Sequence, residues 1–296
     1  MSAVSWWDKS TGLALVTILL WASLAALTSR ITSVSPLVLV GLVLFFCGAG
    51  ALPFWRQWRA RPVTWLVTIT ALLLYHLLLF MSFRHAPVLE ANLINYLWPL
   101  CIILFTPLLL PGHPLHPRHL LAGALGLAGS VLVMVDGKLQ LQQAHLTGYL
   151  LALGAAIVWG AYSVLSRRLP PAPAVVTAAA CLPAGLLALL LAWGLEGPLP
   201  LDQIPQADWL LIVGLALGPM GAAFVTWYLA LRDGDPRRIG ALAYLTPLLS
   251  TLLLVWLNGE QLTPRHLLAG TLIMGGALLG LLARASKAGK APAPLS

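Results

Sequence analysis

One seven-residue sequence occurs twice in this chain. Pro117–Gly123 and Pro264–Gly270 both read Pro-Arg-His-Leu-Leu-Ala-Gly, 147 positions apart in 296 residues. Upstream of the two copies, Tyr96–Leu100 reads Tyr-Leu-Trp-Pro-Leu and Tyr244–Leu248 reads Tyr-Leu-Thr-Pro-Leu. Identity over seven positions is not expected by chance, even in a sequence rich in leucine and alanine. The sequence therefore predicts two copies of one structural unit.

The composition excludes an ordinary soluble domain. Hydrophobic residues make up 59% of the chain and charged residues 9%, whereas about a quarter of a soluble domain is charged. Roughly 20 apolar residues cross the hydrocarbon core of a bilayer. Apolar runs bounded by Pro, Gly and charged residues predict an all-α membrane protein with ten transmembrane helices. They lie at about 11–29, 35–55, 63–83, 88–110, 119–135, 147–166, 174–195, 209–231, 239–257 and 266–283.

The basic residues predict the orientation of these helices. Of the 17 Lys and Arg residues, all but Arg30, Arg84, Lys138 and Arg265 fall on one side when alternate ends of the spans are counted. Since cytoplasmic loops collect positive charge, both termini are expected in the cytoplasm. The formal charge of +8 then reflects topology and contact with anionic lipid, and it does not indicate nucleic acid.

The ten spans divide into five and five. Because five is odd, the second copy threads the membrane in the opposite sense, and inverted repeats of this kind are typical of transporters. The N-terminal repeat occupies about 11–135, and residues 1–166 contain it together with span 6. Residues 167–283 contain the remainder of the C-terminal repeat, whose spans cover about 147–283. The small, basic segment 284–296 is predicted to be a disordered cytoplasmic tail.

Two prolines recur in register, Pro99 in span 4 and Pro247 in span 9. Each removes a backbone N–H and frees the carbonyl four residues earlier, which predicts a broken helix near the middle of the membrane. Broken helices at equivalent positions of two repeats indicate a substrate site. The alternative is a simple packing kink, which membrane helices tolerate.

Polar residues at membrane depth cluster in spans 3 and 4. His76 could hydrogen-bond a substrate or titrate, or it could make an interhelical hydrogen bond; Tyr75 is its neighbour. Asn92 and Asn95 need hydrogen-bond partners, which neighbouring helices or substrate and water could supply. We predict that these four side chains contribute to substrate binding.

Five aromatic residues are predicted to contribute to substrate binding beside these polar residues. Tyr96 and Trp98 point about 160° apart on a regular helix, so both can line one cavity only if the helix deviates. Trp159, Tyr162 and the duplicate tyrosine Tyr244 complete the set. Such rings can stack on a flat substrate or on an ammonium group, or they can serve as packing bulk. Nine other tryptophans are assigned to span ends, as an interfacial belt predicts: Trp6, Trp7, Trp55, Trp58, Trp65, Trp193, Trp209, Trp227 and Trp256, while Trp21 is central.

Charged residues suggest opposing gates. Glu90 lies at the outer end of span 4, where a carboxylate could cap the helix or act as a gate or proton site. Its duplicate position holds Arg238, on the cytoplasmic side. We predict no metal site, because Pro114 and Pro117 break any common helix face for the histidines nearby.

These motifs resemble a known family. Ten spans, Tyr-Leu-x-Pro in spans 4 and 9 and Pro-Arg-His at the start of spans 5 and 10 are similar to the drug/metabolite transporter superfamily over residues 11–283. His76 and the stretch Asn92–Pro99 resemble its branch of YddG-like exporters. The resemblance implies a basket-like helical fold without a cofactor, in a bacterial inner membrane. It also implies export of amino acids, with aromatic ones preferred and methionine, threonine and other neutral ones accepted.

The sequence therefore predicts a monomeric exporter that works by alternating access, with an amino acid as substrate and membrane lipid around it. The carboxylate and amine of this substrate would contact His76, Asn92 and Asn95. The alternative is efflux of hydrophobic drugs or another small metabolite on the same fold. An enzyme is not expected, since His76 and Glu90 fall on different helices with no nucleophile motif nearby. Proton coupling and facilitated diffusion both stay open.

Overall fold

A computed structural model describes residues 8–135, 142–258 and 262–282. Within these ranges every regular element is helical. The predicted disordered tail, 284–296, lies outside the described residues. The chain therefore has the all-α architecture that its composition predicts.

Residues 8–135 contain seven α-helices, several of which join end to end into one span. They are α1 (Lys9–Ala22), α2 (Leu24–Thr28), α3 (Pro36–Gly50), α4 (Pro62–His85), α5 (Val88–Asn95), α6 (Trp98–Leu109) and α7 (Pro117–Met134). A 3₁₀-helix, Leu52–Gln57, follows α3.

Residues 142–258 and 262–282 contain eight α-helices. They are α8 (Leu146–Leu165), α9 (Val175–Ala179), α10 (Cys181–Glu196), α11 (Gln206–Leu215), α12 (Ala223–Asp233), α13 (Pro236–Ala243), α14 (Leu245–Asn258) and α15 (Pro264–Leu282). A π-helical segment, Ala216–Ala222, joins α11 to α12 and contains Pro219.

The described residues contain nine helices long and apolar enough to cross a membrane. The second predicted span, 35–55, differs from expectation because its α-helix, α3, has 15 residues. At 1.5 Å per residue α3 is about 22 Å long, shorter than the roughly 30 Å hydrocarbon core. Pro53, just after α3, lies at the start of the 3₁₀-helix, where it does not continue an α-helix. The count of ten spans stays a prediction.

The two copies of the repeated heptad begin helices α7 and α15, which pack against each other. A Cβ atom on Gly129 would lie 2.8 Å from the carbonyl oxygen of Ala269, and one on Gly276 would lie 2.7 Å from that of Ala122. Adding 147, the offset between the two heptads, to Gly129 and Ala122 gives Gly276 and Ala269, so the two contacts occupy equivalent positions in the two copies. Only glycine permits so close an approach of backbones, and small residues serve this purpose in membrane helices.

The same two helices run antiparallel. The Nε atom of Arg265, at the start of α15, donates to the carbonyl of Leu132, near the end of α7, at 2.6 Å. At the other end of the pair, Gly280 lies near Ala122. The two heptads therefore begin helices of opposite direction.

Several other packed pairs also correspond between the two halves. Helix α3 packs on α10, and α6 packs on α13, so that equivalent spans of the two halves meet. Helix α4 packs on α8, and α1 packs on α12; these two contacts replace each other when the halves are exchanged. These contacts join equivalent spans of the two halves or form equivalent pairs, which agrees with the duplication seen in the sequence.

Candidate functional site

Both proline-containing spans are interrupted. Span 4 breaks at Tyr96 and Leu97, between α5 and α6, and Pro99 is the second residue of α6. Span 9 breaks at Tyr244, between α13 and α14, and Pro247 is the third residue of α14. The breaks lie three residues or fewer before each proline, where a missing N–H loosens the helix.

A cavity of about 660 Å³ lies between the two halves. It extends to the end of the bundle that carries Thr28, Arg84 and Glu196, which we call the open end. Its volume is in the range of small-molecule sites. Helices from both halves contribute to its wall, including the broken spans 4 and 9.

Seven of the nine predicted substrate residues line this cavity. They are Tyr75, His76, Asn92, Asn95, Tyr96, Trp98 and Trp159. Tyr96 and Trp98 both reach it because the helix breaks between them, which removes the 160° separation of a regular helix. The broken span thus brings two rings to one wall.

His76 is 3% exposed, and its Nδ1 lies 2.7 Å from the carbonyl oxygen of Leu72, one turn earlier in α4. A carbonyl only accepts, so Nδ1 must carry the proton of this hydrogen bond. In the uncharged ring Nε2 is then an acceptor. The Tyr75 ring meets the imidazole edge-on, with centroids 4.9 Å apart.

The side-chain amide of Asn95 has a hydrogen-bond partner for its nitrogen but none for its oxygen in the part of the chain that the structure describes. Its Nδ2 donates to the Tyr75 hydroxyl at 3.4 Å, while its Oδ1 finds no hydrogen-bond partner among the described residues. The side chain is 4% exposed. Such an orphaned acceptor is costly in a membrane, and a donor on a bound molecule would satisfy it.

Four tryptophans form a cluster at the floor of the cavity. The Trp21 ring lies 5.8 Å from Trp98, 6.0 Å from Trp159 and 5.0 Å from Trp227. The prediction of an interfacial Trp227 is wrong, because this ring is 2% exposed and its Nε1 donates to Ser163. Hydropathy alone placed it near a span end; its contact with Trp21 depends on α1 and α12 packing together.

The other two predicted residues do not line this cavity. Tyr162 lies beyond Trp159, with ring centroids 5.7 Å apart, beside a separate small void. Tyr244 is fully buried, and a Cβ on Gly126 would lie 2.4 Å from its ring. The duplicate of Tyr96 therefore packs against α7.

Both predicted gate residues have charged or polar partners. Glu90 accepts a hydrogen bond from the Tyr149 hydroxyl, and Arg238 lies 3.6 Å from Asp8 in an ion pair. The sequence reasoning missed a third contact at the open end. There Arg84 pairs with Glu196 at 3.3 Å, and Ser35 also donates to Glu196.

The opposite end, which we call the closed end, is held by buried charges. Arg237 is 1% exposed, pairs with Asp235 at 2.6 Å and donates to the carbonyl of Pro114. Burial would raise the pKa of the Asp235 carboxyl, but hydrogen bonds from Arg237 and its positive charge outweigh burial and hold that pKa below its usual value. Neither residue stood out in the sequence, because a charged pair beside a loop is normally solvated.

The site has no obvious metal chemistry in the parts of the chain that the structure covers. There no group of three or more His, Cys, Asp or Glu side chains is placed to hold an ion. Two of the histidines near Pro114 and Pro117 instead cap the start of α7: His119 Nδ1 accepts from the backbone N–H of His116, and His116 Nδ1 accepts from that of Arg118. The cavity offers rings, amides and an imidazole, which suit binding of an organic molecule.

Known proteins are similar along most of the chain. It is 37% identical to the aromatic amino acid exporter YddG of Ancylobacter novellus, over 94% of this chain and 99% of that protein. An uncharacterized protein of Pseudomonas aeruginosa is 32% identical over 62% of this chain and 61% of its own length. One solved structure has a TM-score of 0.85 and 36% identity, covering 93% of this chain and 96% of that one.

The profile of one family matches each half separately, over residues 9–135 and 146–282. This double match agrees with the duplicated heptad and with the exchanged helix contacts. A family member of this kind moves small molecules across a membrane and does not transform them. The chain belongs to the EamA-like transporter family and is a multi-pass membrane transporter, not an enzyme.

Proposed function

We propose that the protein exports amino acids, aromatic ones preferred and other neutral ones such as methionine and threonine accepted. The observation that carries this proposal is the aromatic, amide-lined cavity of about 660 Å³. A relative named as an aromatic amino acid exporter, 37% identical over nearly the whole chain, supports it.

Hydrogen-bonding groups in the cavity suit the substrate's polar end. Asn95 Oδ1 and the Nε2 of an uncharged His76 are acceptors, which fit an ammonium group. Asn92 adds an amide at the wall, whose N–H groups suit a carboxylate. An amino acid carries an ammonium and a carboxylate group on the same carbon atom, so recognition of both groups separates it from apolar drugs.

Aromatic rings suit the substrate's side chain. Tyr96, Trp98 and Trp159 line the cavity, and Trp21 joins the last two at its floor. Flat substrates gain about 0.5–2 kcal/mol per ring contact in such surroundings. Tyr162, behind Trp159, would hold that ring in place.

Alternating access between two inverted five-span repeats is the mechanism we propose. The antiparallel α7 and α15 and the exchanged helix contacts support it, since exchanging the two halves would exchange the open and closed ends. The asymmetry of basic residues supports cytoplasmic termini in an inner membrane, with the closed end inside. Glu90 and Arg238, at equivalent positions of the repeats, would act at opposite gates, and a monomer suffices because one chain encloses the cavity.

Counterflow in proteoliposomes tests the substrate class. We expect tryptophan and phenylalanine to exchange fastest and lipophilic drugs to exchange poorly; the reverse order would favour drug efflux. The variant Trp98→Ala should lose roughly threefold to thirtyfold in apparent affinity for tryptophan, the equivalent of about 0.5–2 kcal/mol. Trp193→Ala is the matched control, because Trp193 is 60% exposed and lies away from the cavity.

Three further measurements address the site, the topology and the coupling to protons. His76→Ala should reduce amino-acid exchange, and unchanged exchange of every amino acid tested would contradict the arrangement. Cysteine labels at positions His113 and Gln261 should be reachable from opposite faces of the membrane; labelling from one face would rule out inverted repeats. Exchange with and without a pH gradient would decide between proton coupling and facilitated diffusion.

A further inference from the structure

Hydroxyl groups inside helices of this protein usually bond to their own backbone. Thr106, Ser130 and Thr271 each donate to the carbonyl four residues earlier, at 2.6, 2.8 and 2.9 Å. This local bond satisfies a hydroxyl without help from another helix. Such hydroxyls have no donor left for a ligand.

Thr246 is an exception at the cavity wall. It is 5% exposed and lines the cavity, yet its Oγ1 has no hydrogen-bond partner within the described ranges. The residue four positions earlier, Leu242, lies in α13, on the far side of the break at Tyr244. The broken helix thus leaves this hydroxyl unpaired, and a buried unpaired hydroxyl is unfavourable unless something binds it.

Thr246 is also the second residue of α14, a 14-residue helix. The first N–H groups of a helix have no partner inside it, and the helix dipole makes that end positive. An anion is therefore favoured beside Thr246. Ser250, one turn further along α14, lines the same cavity and extends the polar stripe.

We propose that Thr246, at the start of α14, binds the carboxylate of the transported amino acid. The hydroxyl donates to a carboxylate oxygen, and the N–H groups of Leu245 and Thr246, in the first turn of α14, supply the positive end of the helix. In the first copy the same position holds Trp98, so the two repeats present a ring and a carboxylate-binding group to one substrate. This inference rests on the proposed function, because it assumes an amino-acid substrate.

Competition during counterflow of labelled phenylalanine tests the inference. The competitors are phenylalanine, phenylalaninamide, which lacks the carboxylate, and phenylpropionate, which lacks the amine. In the wild type phenylalaninamide should compete less well than phenylalanine. Thr246→Val should lower the apparent affinity for phenylalanine about tenfold or more, the usual effect of losing a hydrogen bond to a charged group. The apparent affinity for phenylalaninamide should not change. Thr246→Ser should restore the wild-type order.

Stability measurements separate binding from folding. Thr246→Val removes an unpaired buried hydroxyl at nearly constant shape, so its melting temperature should equal or exceed that of the wild type. Thr106→Val is the matched control; it removes a hydroxyl bonded to Ile102 and should leave the competitor ratio unchanged.

Three results would overturn the inference while the proposed function stands. The first is an unchanged affinity for phenylalanine in Thr246→Val, and the second is an equal loss of affinity for phenylalanine and phenylalaninamide. The third concerns phenylpropionate, which keeps the carboxylate and should lose affinity as phenylalanine does. A loss for phenylalanine without a loss for phenylpropionate would mean that Thr246 contacts the amine. A wild type that exchanges no amino acid would refute the proposed function itself.

Discussion

The two broken spans share a backbone plan but differ in how firmly their first halves are held. In span 9 that half is α13, where seven of eight residues are buried. In span 4 it is α5, where three of eight are buried and Asn92 and Asn95 face the cavity. The equivalent positions of α13 carry Gly240 and Ala243, which pack closely against neighbouring helices.

This difference shows how a duplicated sequence produces an asymmetric molecule. Helix α13 begins at the closed end, fixed by Asp235 and Arg237, whereas α5 begins at the open end, where Glu90 meets Tyr149. At each break the helix is interrupted, so the regular hydrogen-bond ladder of one half does not continue directly into the other. Alternating access would require α13 to loosen and α5 to pack.

The largest effect is expected from removing the charge that holds α13. Asp235→Asn keeps a side chain able to cap the helix but leaves the buried Arg237 without a counter-charge. Breaking a buried ion pair in this way destabilises by about 3–5 kcal/mol. We expect a lower melting temperature in detergent and faster cysteine labelling at His113.

Glu90→Gln is the matched change at the start of α5. Its carboxylate accepts a hydrogen bond from Tyr149, and both side chains are only half-buried, so a much smaller shift in melting temperature is expected. Equal shifts for Asp235→Asn and Glu90→Gln would mean that the two half-helices are held alike.

The two duplicate tyrosines offer a second comparison. Tyr244→Ala empties a fully buried site against Gly126 and should destabilise the protein by roughly 3 kcal/mol. Tyr96→Ala, on the cavity wall, should lower tryptophan counterflow with a smaller loss of stability. Melting temperature and counterflow measured on both variants decide this, and a reversed pattern would show that Tyr244 contacts substrate and Tyr96 does not.

The smallest effect expected is a pH dependence of the stability that Asp235 contributes at the closed end. Because the pKa of Asp235 is lower in the folded protein than in an unfolded chain, its stabilisation is complete above the unfolded value of about 3.9 and is lost as pH falls through the folded value. The difference in melting temperature between wild type and Asp235→Asn should shrink below about pH 4. A difference that stays constant from pH 7 to pH 3 would exclude this role.

Much of the fold could be read from the sequence. The duplicated heptad predicted that α7 and α15 are copies, and apolar runs predicted most spans to within a few residues. Pro99 and Pro247 predicted where spans 4 and 9 break, because a proline removes a hydrogen bond wherever its helix packs. These features are local, so they need no knowledge of neighbouring helices.

The candidate site was only partly predictable. His76 and Asn95 stood out because polar groups are costly at membrane depth, whereas Thr246 did not, since a threonine normally bonds its own helix. Tyr96 and Tyr244 occupy equivalent positions in the two copies, and both were predicted to contact substrate. Tyr96 lines the cavity, whereas Tyr244 packs against Gly126. That choice depends on which helix lies opposite each tyrosine.

By itself, the sequence determined a helical membrane protein built from two copies, with a break in the same span of each copy. Composition and periodicity suffice for this, because burial in lipid and missing backbone hydrogen bonds act within a single segment. Only the tertiary structure decided that α13 is held and α5 lines the cavity, and that Trp227 joins Trp21. Those outcomes depend on contacts between segments far apart in the chain, which no single segment of the sequence can determine.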